Sequence, residues 1–412
     1  MNQTPAGDPE IPLAAGETKV PRYILPAIVV AQLAGGSVWF GANAVIGDLI
    51  RELSLASAQV GWLLSAVNTG FIAGTLCYAL MMVADRISPR LVFLISCLLA
   101  AAVNAVVLLM PVSYWPVLLS RFAVGFFLAG IYPVGMKIAA GWYQKGLGSA
   151  LGFLVGALIV ASGMPHAVRA LGSGWSWQQV LLSLSVIAAL GGVLLYLLVP
   201  DGPYLNRGSR LKFKALSVIW TDRKVRASTV GYFGHMWELY AMLAAVPALI
   251  GAYLHSGLSP AVSLLSFFVI AGGGIGCALG GLLTPRFGSA RVAVFQLAVS
   301  GLCCVLVPLM LGAPWWLFAL WLIVWGITVS GDSPQFSALT ASNAPRELVG
   351  SVLTLVNCIG FAISTLTIQL TTHLSAHFGL ALVLPWLVLG PLVGLIAMWP
   401  LLGNRGKQRK NC

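Results

Sequence analysis

Twelve apolar runs of spanning length follow one another along the chain, at 22–46, 58–83, 90–112, 115–139, 147–171, 177–199, 227–254, 260–285, 291–311, 315–340, 348–372 and 380–402. A helix needs about 20 consecutive apolar residues to cross a ~30 Å hydrocarbon core, and each run reaches that length. In lipid every backbone polar group must be satisfied internally, so the expected fold is an all-α polytopic membrane protein of twelve transmembrane helices. With 8% charged residues and a mean hydropathy of +0.92, the chain has too few polar side chains to coat a water-soluble globule.

One long polar segment, 200–226, interrupts the pattern. It carries Arg207, Arg210, Lys212, Lys214, Arg223, Lys224 and Arg226 against Asp201 and Asp222. Basic loops resist translocation, so this linker is expected on the cytoplasmic side of the membrane. It divides the chain into a short N-terminal tail (1–21), a six-helix half (22–199), the linker, a second six-helix half (227–402) and a basic C-terminal tail (403–412). With both termini placed in the cytoplasm, 20 of the 23 lysines and arginines fall at cytoplasmic ends or loops. Arg51 and Arg169 fall outside, and Arg121 falls within a span. The net charge of +12 is therefore read as topogenic, and no nucleic-acid partner is expected.

The halves repeat one another at an offset near 200 residues. Trp115, Gly125, Gly130 and Pro133 of span four match Trp315, Gly326, Gly331 and Pro334 of span ten. Lys145 and Arg346 follow in step, and Trp39 of span one matches Trp237 of span seven. Two parallel six-span repeats are a known transporter plan.

The loop between spans two and three reads Ala84-Asp85-Arg86-Ile87-Ser88-Pro89-Arg90. It resembles the Asp-Arg-x-Gly-Arg-Arg loop of the major facilitator superfamily, with Ser88-Pro89 in place of a glycine and a basic residue. The second copy, after span eight, has Pro285 where the family carries an acid. The resemblance covers the whole chain and implies two pseudo-symmetric halves. It also implies a cytoplasmic gate held by Asp85, Arg86 and Arg90; the alternative is that these arginines only enforce topology.

Arg121, Glu238 and Asp332 are the ionisable residues placed within spans, where charge is costly unless it meets a partner or a wet cavity. Arg121-Phe-Ala-Val-Gly125 resembles the Arg-x-x-x-Gly element of proton-coupled members, which implies a role in proton transfer or substrate binding; a structural ion pair is the alternative. Arg121 comes ~9 Å below the outer face and Glu238 ~18 Å above the inner one, depths that nearly coincide and suggest counter-charges. Desolvation disfavours the charged form of Glu238 and a nearby arginine favours it, the balance that a proton carrier needs. His235 shares a helical face with Glu238 as a potential relay, or is a histidine satisfied by a backbone carbonyl. Asp332, in Gly331-Asp332-Ser333-Pro334, comes ~26 Å from the outer face, near the cytoplasmic mouth, and either binds substrate or satisfies freed backbone groups.

Trp39, Phe40 and Asn43 on span one, Tyr132 on span four, and Trp237 and Tyr240 on span seven are the expected cavity lining. Spans one, four, seven and ten line the central cavity in the family that the loop resembles. Gly148, Gly152 and Gly156 of span five have a close-packing spacing that only partly matches the motif of drug/proton antiporters. The nitrate-carrier signature is absent: span two has Asn68 and no arginine. Gly272-Gly273-Gly274-Ile275-Gly276 lies inside a span and lacks the Lys-Ser/Thr of a phosphate-binding loop. His166, His255, His373 and His377 are dispersed at predicted outer ends without metal-like spacing, and six of the cysteines lie in apolar runs. No catalytic cluster, metal or cofactor is expected.

The reading is a secondary active transporter of a small organic solute, proton-coupled, working by alternating access. A multidrug or organic-cation/proton efflux antiporter is the alternative, and a transporter-derived receptor without flux is a second. Substrate, protons and the lipid bilayer are the expected partners, with a monomer as the unit. Short loops and no evident signal peptide or glycosylated outer loop suggest a bacterial inner membrane.

Overall fold

The computed structural model describes residues 20–143, 147–205, 211–257 and 259–402. Residues 1–19 of the N-terminal tail, Lys145, residues 206–210 of the linker and the basic tail at 403–412 lie outside the described residues. Among the described residues, twelve helices are long and apolar enough to cross a membrane: Ile24–Leu53, Ser57–Met81, Pro89–Leu109, Tyr114–Trp142, Leu147–Leu171, Trp177–Leu198, Arg223–Tyr253, Pro260–Phe287, Ser289–Met310, Trp315–Asn343, Val349–Phe378 and Leu380–Leu402. They form two six-helix halves, and there is no strand among the described residues. An even number of crossings puts both described chain ends on one face, called here the terminal face; the other is the far face.

Span seven starts earlier than its apolar run, at Arg223, because Asp222 caps it. The Asp222 carboxylate accepts from the backbone N–H groups of Lys224 and Val225 at 2.8 and 3.0 Å. An acid at a helix N-terminus offsets the unfavourable meeting of the dipole with three basic side chains. The linker then bridges the halves: the Tyr204 N–H donates to the Gly141 carbonyl, and the Lys212 N–H to Ser351 Oγ on span eleven.

Three of the spans are broken in the middle. Span one divides at Ser37–Phe40 into Ile24–Gly36 and Gly41–Leu53. Span four divides at 129–131 and span ten at Asp332, matching points of the repeat. Pro133 and Pro334 sit in the first turn of the second segments, where a missing N–H removes no helical bond. Span seven, the repeat of span one, runs unbroken from Arg223 to Tyr253.

Backbone contact fixes the spacing of spans two with four and eight with ten. A Cβ at Gly125 would overlap the Val67 carbonyl, and one at Gly326 the Val269 carbonyl. Only glycine permits that approach, at equivalent places in the two halves. Of the span five glycines, Gly156 stands against Gly274 of span eight, whereas Gly148 and Gly152 face open space. The close-packing spacing is thus used at one position.

Candidate functional site

Where the halves meet in mid-membrane, the contact is aromatic. Trp39 and Phe71 of the first half pack against Tyr240 and Phe361 of the second. Ring centroids are 4.9 Å apart for Trp39 and Phe71, 5.7 Å for Trp39 and Phe361, 4.7 Å for Phe71 and Phe361, and 5.2 Å for Tyr240 and Phe361. Phe40 stacks on Tyr240 at 5.8 Å with ring planes 12° apart. The break in span one places Trp39 and Phe40 here: the turn at Ser37–Phe40 presents two consecutive side chains inward, which a regular helix would splay by ~100°. The Trp39 indole N–H donates to Asn68 Oδ1 at 3.3 Å, which fixes the ring.

A cavity lies on each side of this cluster. The larger, ≈ 640 Å³, lies toward the far face between spans one, two, seven and eleven, and reaches Leu64 on span two and Ile368 on span eleven. The smaller, ≈ 400 Å³, lies toward the terminal face and reaches Thr75 on span two and Thr354 on span eleven. Phe71 falls between Leu64 and Thr75, and Phe361 between Thr354 and Ile368. The rings therefore form the partition between the two spaces. Gln369 Nε2 donates to Ser65 Oγ at 2.8 Å, tying the halves beside the partition.

The buried charges turn away from it. Arg121 is fully buried and donates through Nη2 to Asn104 Oδ1 on span three and to Ser120 Oγ at 3.3 Å; its Nη1 has no hydrogen-bond partner. Asn104 is itself held by Nδ2 donating to the Leu181 carbonyl and to Ser185 Oγ on span six. Glu238 points into the other half, accepting from Trp325 Nε1 at 2.7 Å, Ser300 Oγ at 2.9 Å and Cys304 Sγ at 3.2 Å. Matched depth brought the two charges to one level but not into contact. Each side chain leaves its helix toward its own half, so Arg121 is not the counter-charge of Glu238.

The contact that Glu238 lacks is made by its neighbour. His235 Nδ1 lies 2.8 Å from Asp332 Oδ1, within ion-pair range but off the angle of a hydrogen bond, with both residues fully buried. Asp332 lies farther from the terminal-face end than a ~30 Å span implied, because span ten runs for 29 residues to Asn343. It stands ~16 Å from that end of the helix, level with His235 at ~18 Å from Arg223. Tyr232, one turn before His235, has its ring 5.8 Å away and donates its hydroxyl to Asn357 Oδ1 at 2.9 Å.

The remaining lining candidates separate. Tyr132 stands at the break in span four, as the first residue of its second segment. Asn43 is buried one turn beyond Trp39, and its Nδ2 has no partner. Trp237 packs against Gly390 of span twelve and stands apart from the ring cluster. Phe71, Phe361 and Asn68 complete the centre; the first two were unmarked members of a set of 17 phenylalanines.

At the terminal face, Lys137 of span four donates to the Ala84 carbonyl at 2.8 Å and pairs with Asp85. Arg86 is exposed, and the Arg90 guanidinium lies 5.1 Å over the Tyr196 ring. The expected loop cluster thus divides: Asp85 goes to a lysine of its own half that sequence reasoning had counted only as topogenic. At the far face, Asp48 takes Arg51 at 2.5 Å and Arg169 at 2.8 Å, so the two arginines on the unexpected side share one carboxylate.

Comparison with known proteins adds the wider context. Residues 28–368 match the family model described as Major Facilitator Superfamily. Among solved structures, the chain is similar to a bacterial homolog of the human lysosomal transporter Spinster in an inward-facing, unoccupied conformation: TM-score 0.71, 14% identity, covering 93% of this chain and 97% of that one. It is also similar to a point mutant of the nucleoside transporter NupG, with TM-score 0.69 and 15% identity over 92% of this chain and 99% of that one. At such identities the likeness is one of fold. The sequence matches no curated protein.

Proposed function

This chain belongs to the major facilitator superfamily, and from that premise we propose that it is a proton-coupled secondary carrier of a small organic solute, working by alternating access about the aromatic partition. The observation that carries the reading is the ring cluster itself. It is built from both halves, and a separate cavity approaches it from each face. Rocking of the halves about such a contact opens one cavity while closing the other. Both chain ends lie in the cytoplasm of a bacterial cell in this reading, which rests on the distribution of lysine and arginine, and the monomer is the working unit.

Two acidic centres in the second half serve the coupling. Glu238, surrounded by three donors, and Asp332, beside His235, are desolvated carboxyls, for which a proton and a fixed partner are alternatives. Arg121 keeps a permanent charge in the first half and, held by Asn104, stabilises that half rather than anchoring a substrate. The Asp85–Lys137 pair closes the loop side of the smaller cavity. Export of an organic cation is the second reading, favoured by the concentration of aromatic faces, which attract cations.

The test is the internal pH of proteoliposomes as organic anions, cations and neutral solutes are added, comparing wild type with Glu238→Gln, Asp332→Asn and Arg121→Ala. Solute-dependent proton movement that disappears in an acid-to-amide variant supports the reading. Solute flux with no proton movement in wild type overturns the coupling, and binding without any flux overturns the carrier.

A further inference from the structure

We propose that the cavity toward the far face is the loading site for an electrically neutral, largely apolar solute carrying one or two hydrogen-bonding groups. This rests on the carrier reading and names its substrate class.

Among the described residues the walls contain no aspartate, glutamate, lysine or arginine; His255 is the one ionisable side chain lining the cavity. Span seven contributes Ala241, Ala244, Ala245 and Ala248, a small-residue wall that leaves room for a ligand body. At ≈ 640 Å³ the space falls within the range of sites that bury a small organic molecule. An ion entering it would lose water and gain no counter-charge, whereas a neutral apolar body gains from the transfer.

Polar groups are present but sparse. The wall offers the hydroxyl-bearing residues Ser256, Thr371, Thr372 and Ser375. An unmade hydrogen bond in a desolvated site is costly, so a ligand with one or two polar groups that bond to these hydroxyls is favoured over one that reaches none. The three intramembrane charges do not compete for this role: Arg121 is bound to Asn104, Glu238 to Trp325, and Asp332 stands against His235.

The experiment uses three molecules that share an indole ring and differ in charge: neutral tryptophol, anionic indole-3-acetate and cationic tryptamine. Each is titrated against the purified full-length protein while Tm is followed, in wild type, Ala244→Trp and Ala248→Asp. Tryptophol should raise Tm at a concentration at least roughly ten-fold below that needed by either ion, as expected if each ion is desolvated unpaired. Ala244→Trp, which fills the cavity, should abolish the shift. Ala248→Asp places a carboxylate at an exposed wall position and should move the preference toward tryptamine. Equal or tighter binding of an ion by wild type overturns the proposal, as does a shift that survives Ala244→Trp, or no shift with any of the three. Binding of tryptophol with no flux of any solute in the liposome assay would leave this site standing and sink the carrier reading, so the two failures are distinguishable.

Discussion

Asp332 and His235 approach to 2.8 Å at the point where span ten breaks, in a fully buried setting. The geometry joins a helix interruption to a histidine on the unbroken span seven. Removing one partner of such a pair leaves a desolvated group without compensation. His235→Leu is expected to destabilise the protein by ~3–5 kcal/mol. Asp332→Asn keeps the shape and should be milder, with folded yield retained and proton movement reduced. Thermal unfolding and the liposome pH assay together check this; unchanged stability in His235→Leu would show that the contact holds nothing.

Glu238→Gln should fold. The three donors around the carboxylate can be served by an amide oxygen and by a hydroxyl that rotates from donor to acceptor, so the expected cost is about 1–2 kcal/mol. Proton-coupled flux should fall to background while solute binding persists. If Glu238→Gln transports protons as well as wild type, the carboxyl serves packing between spans seven, nine and ten.

The aromatic partition predicts a leak. Phe361→Ala should join the two cavities, since Phe71 and Phe361 pack with centroids 4.7 Å apart. Cys358 lies one helical turn from Phe361 and is buried. In a variant retaining Cys358 as its one cysteine, an impermeant maleimide applied from the far face should label it faster after Phe361→Ala. Equal labelling rates would mean that the rings do not form the barrier.

Gly125→Ala and Gly326→Ala should each lower folded yield, because the added methyl meets a backbone carbonyl that cannot move aside. Overpacking of this kind typically costs about 1–3 kcal/mol. The equivalent substitution at Gly148, which faces open space, should be neutral in the same unfolding assay.

The spans and their doubling were legible because each depends on run length and on the placement of lysine, arginine, glycine and proline. The break at Gly331–Pro334 was legible for the same reason. Which way a side chain leaves its helix was not. These helices are apolar nearly all round, so no polar face marks the outside, and periodicity cannot orient Glu238 toward Trp325 or Trp237 toward Gly390. Depth along a helix was readable to within a turn or two and erred for Asp332 because span ten, at 29 residues, is longer than a ~30 Å core requires. Lys137 was visible as a charge at the edge of span four, but its pairing with Asp85 requires the fold.

The ion pairs among the described residues, Asp85 with Lys137 and Asp48 with Arg51 and Arg169, and the His235–Asp332 contact each join two groups of the same half. What passes between the halves at mid-depth is ring against ring, with the Gln369 amide beside it, and glycine against glycine where Gly156 meets Gly274. Among the described residues such a seam slides without separating opposite charges. The rate of switching should therefore depend weakly on ionic strength and strongly on temperature, as the rings part and repack, and the speed of this carrier would be set by the stickiness of its hydrocarbon seam.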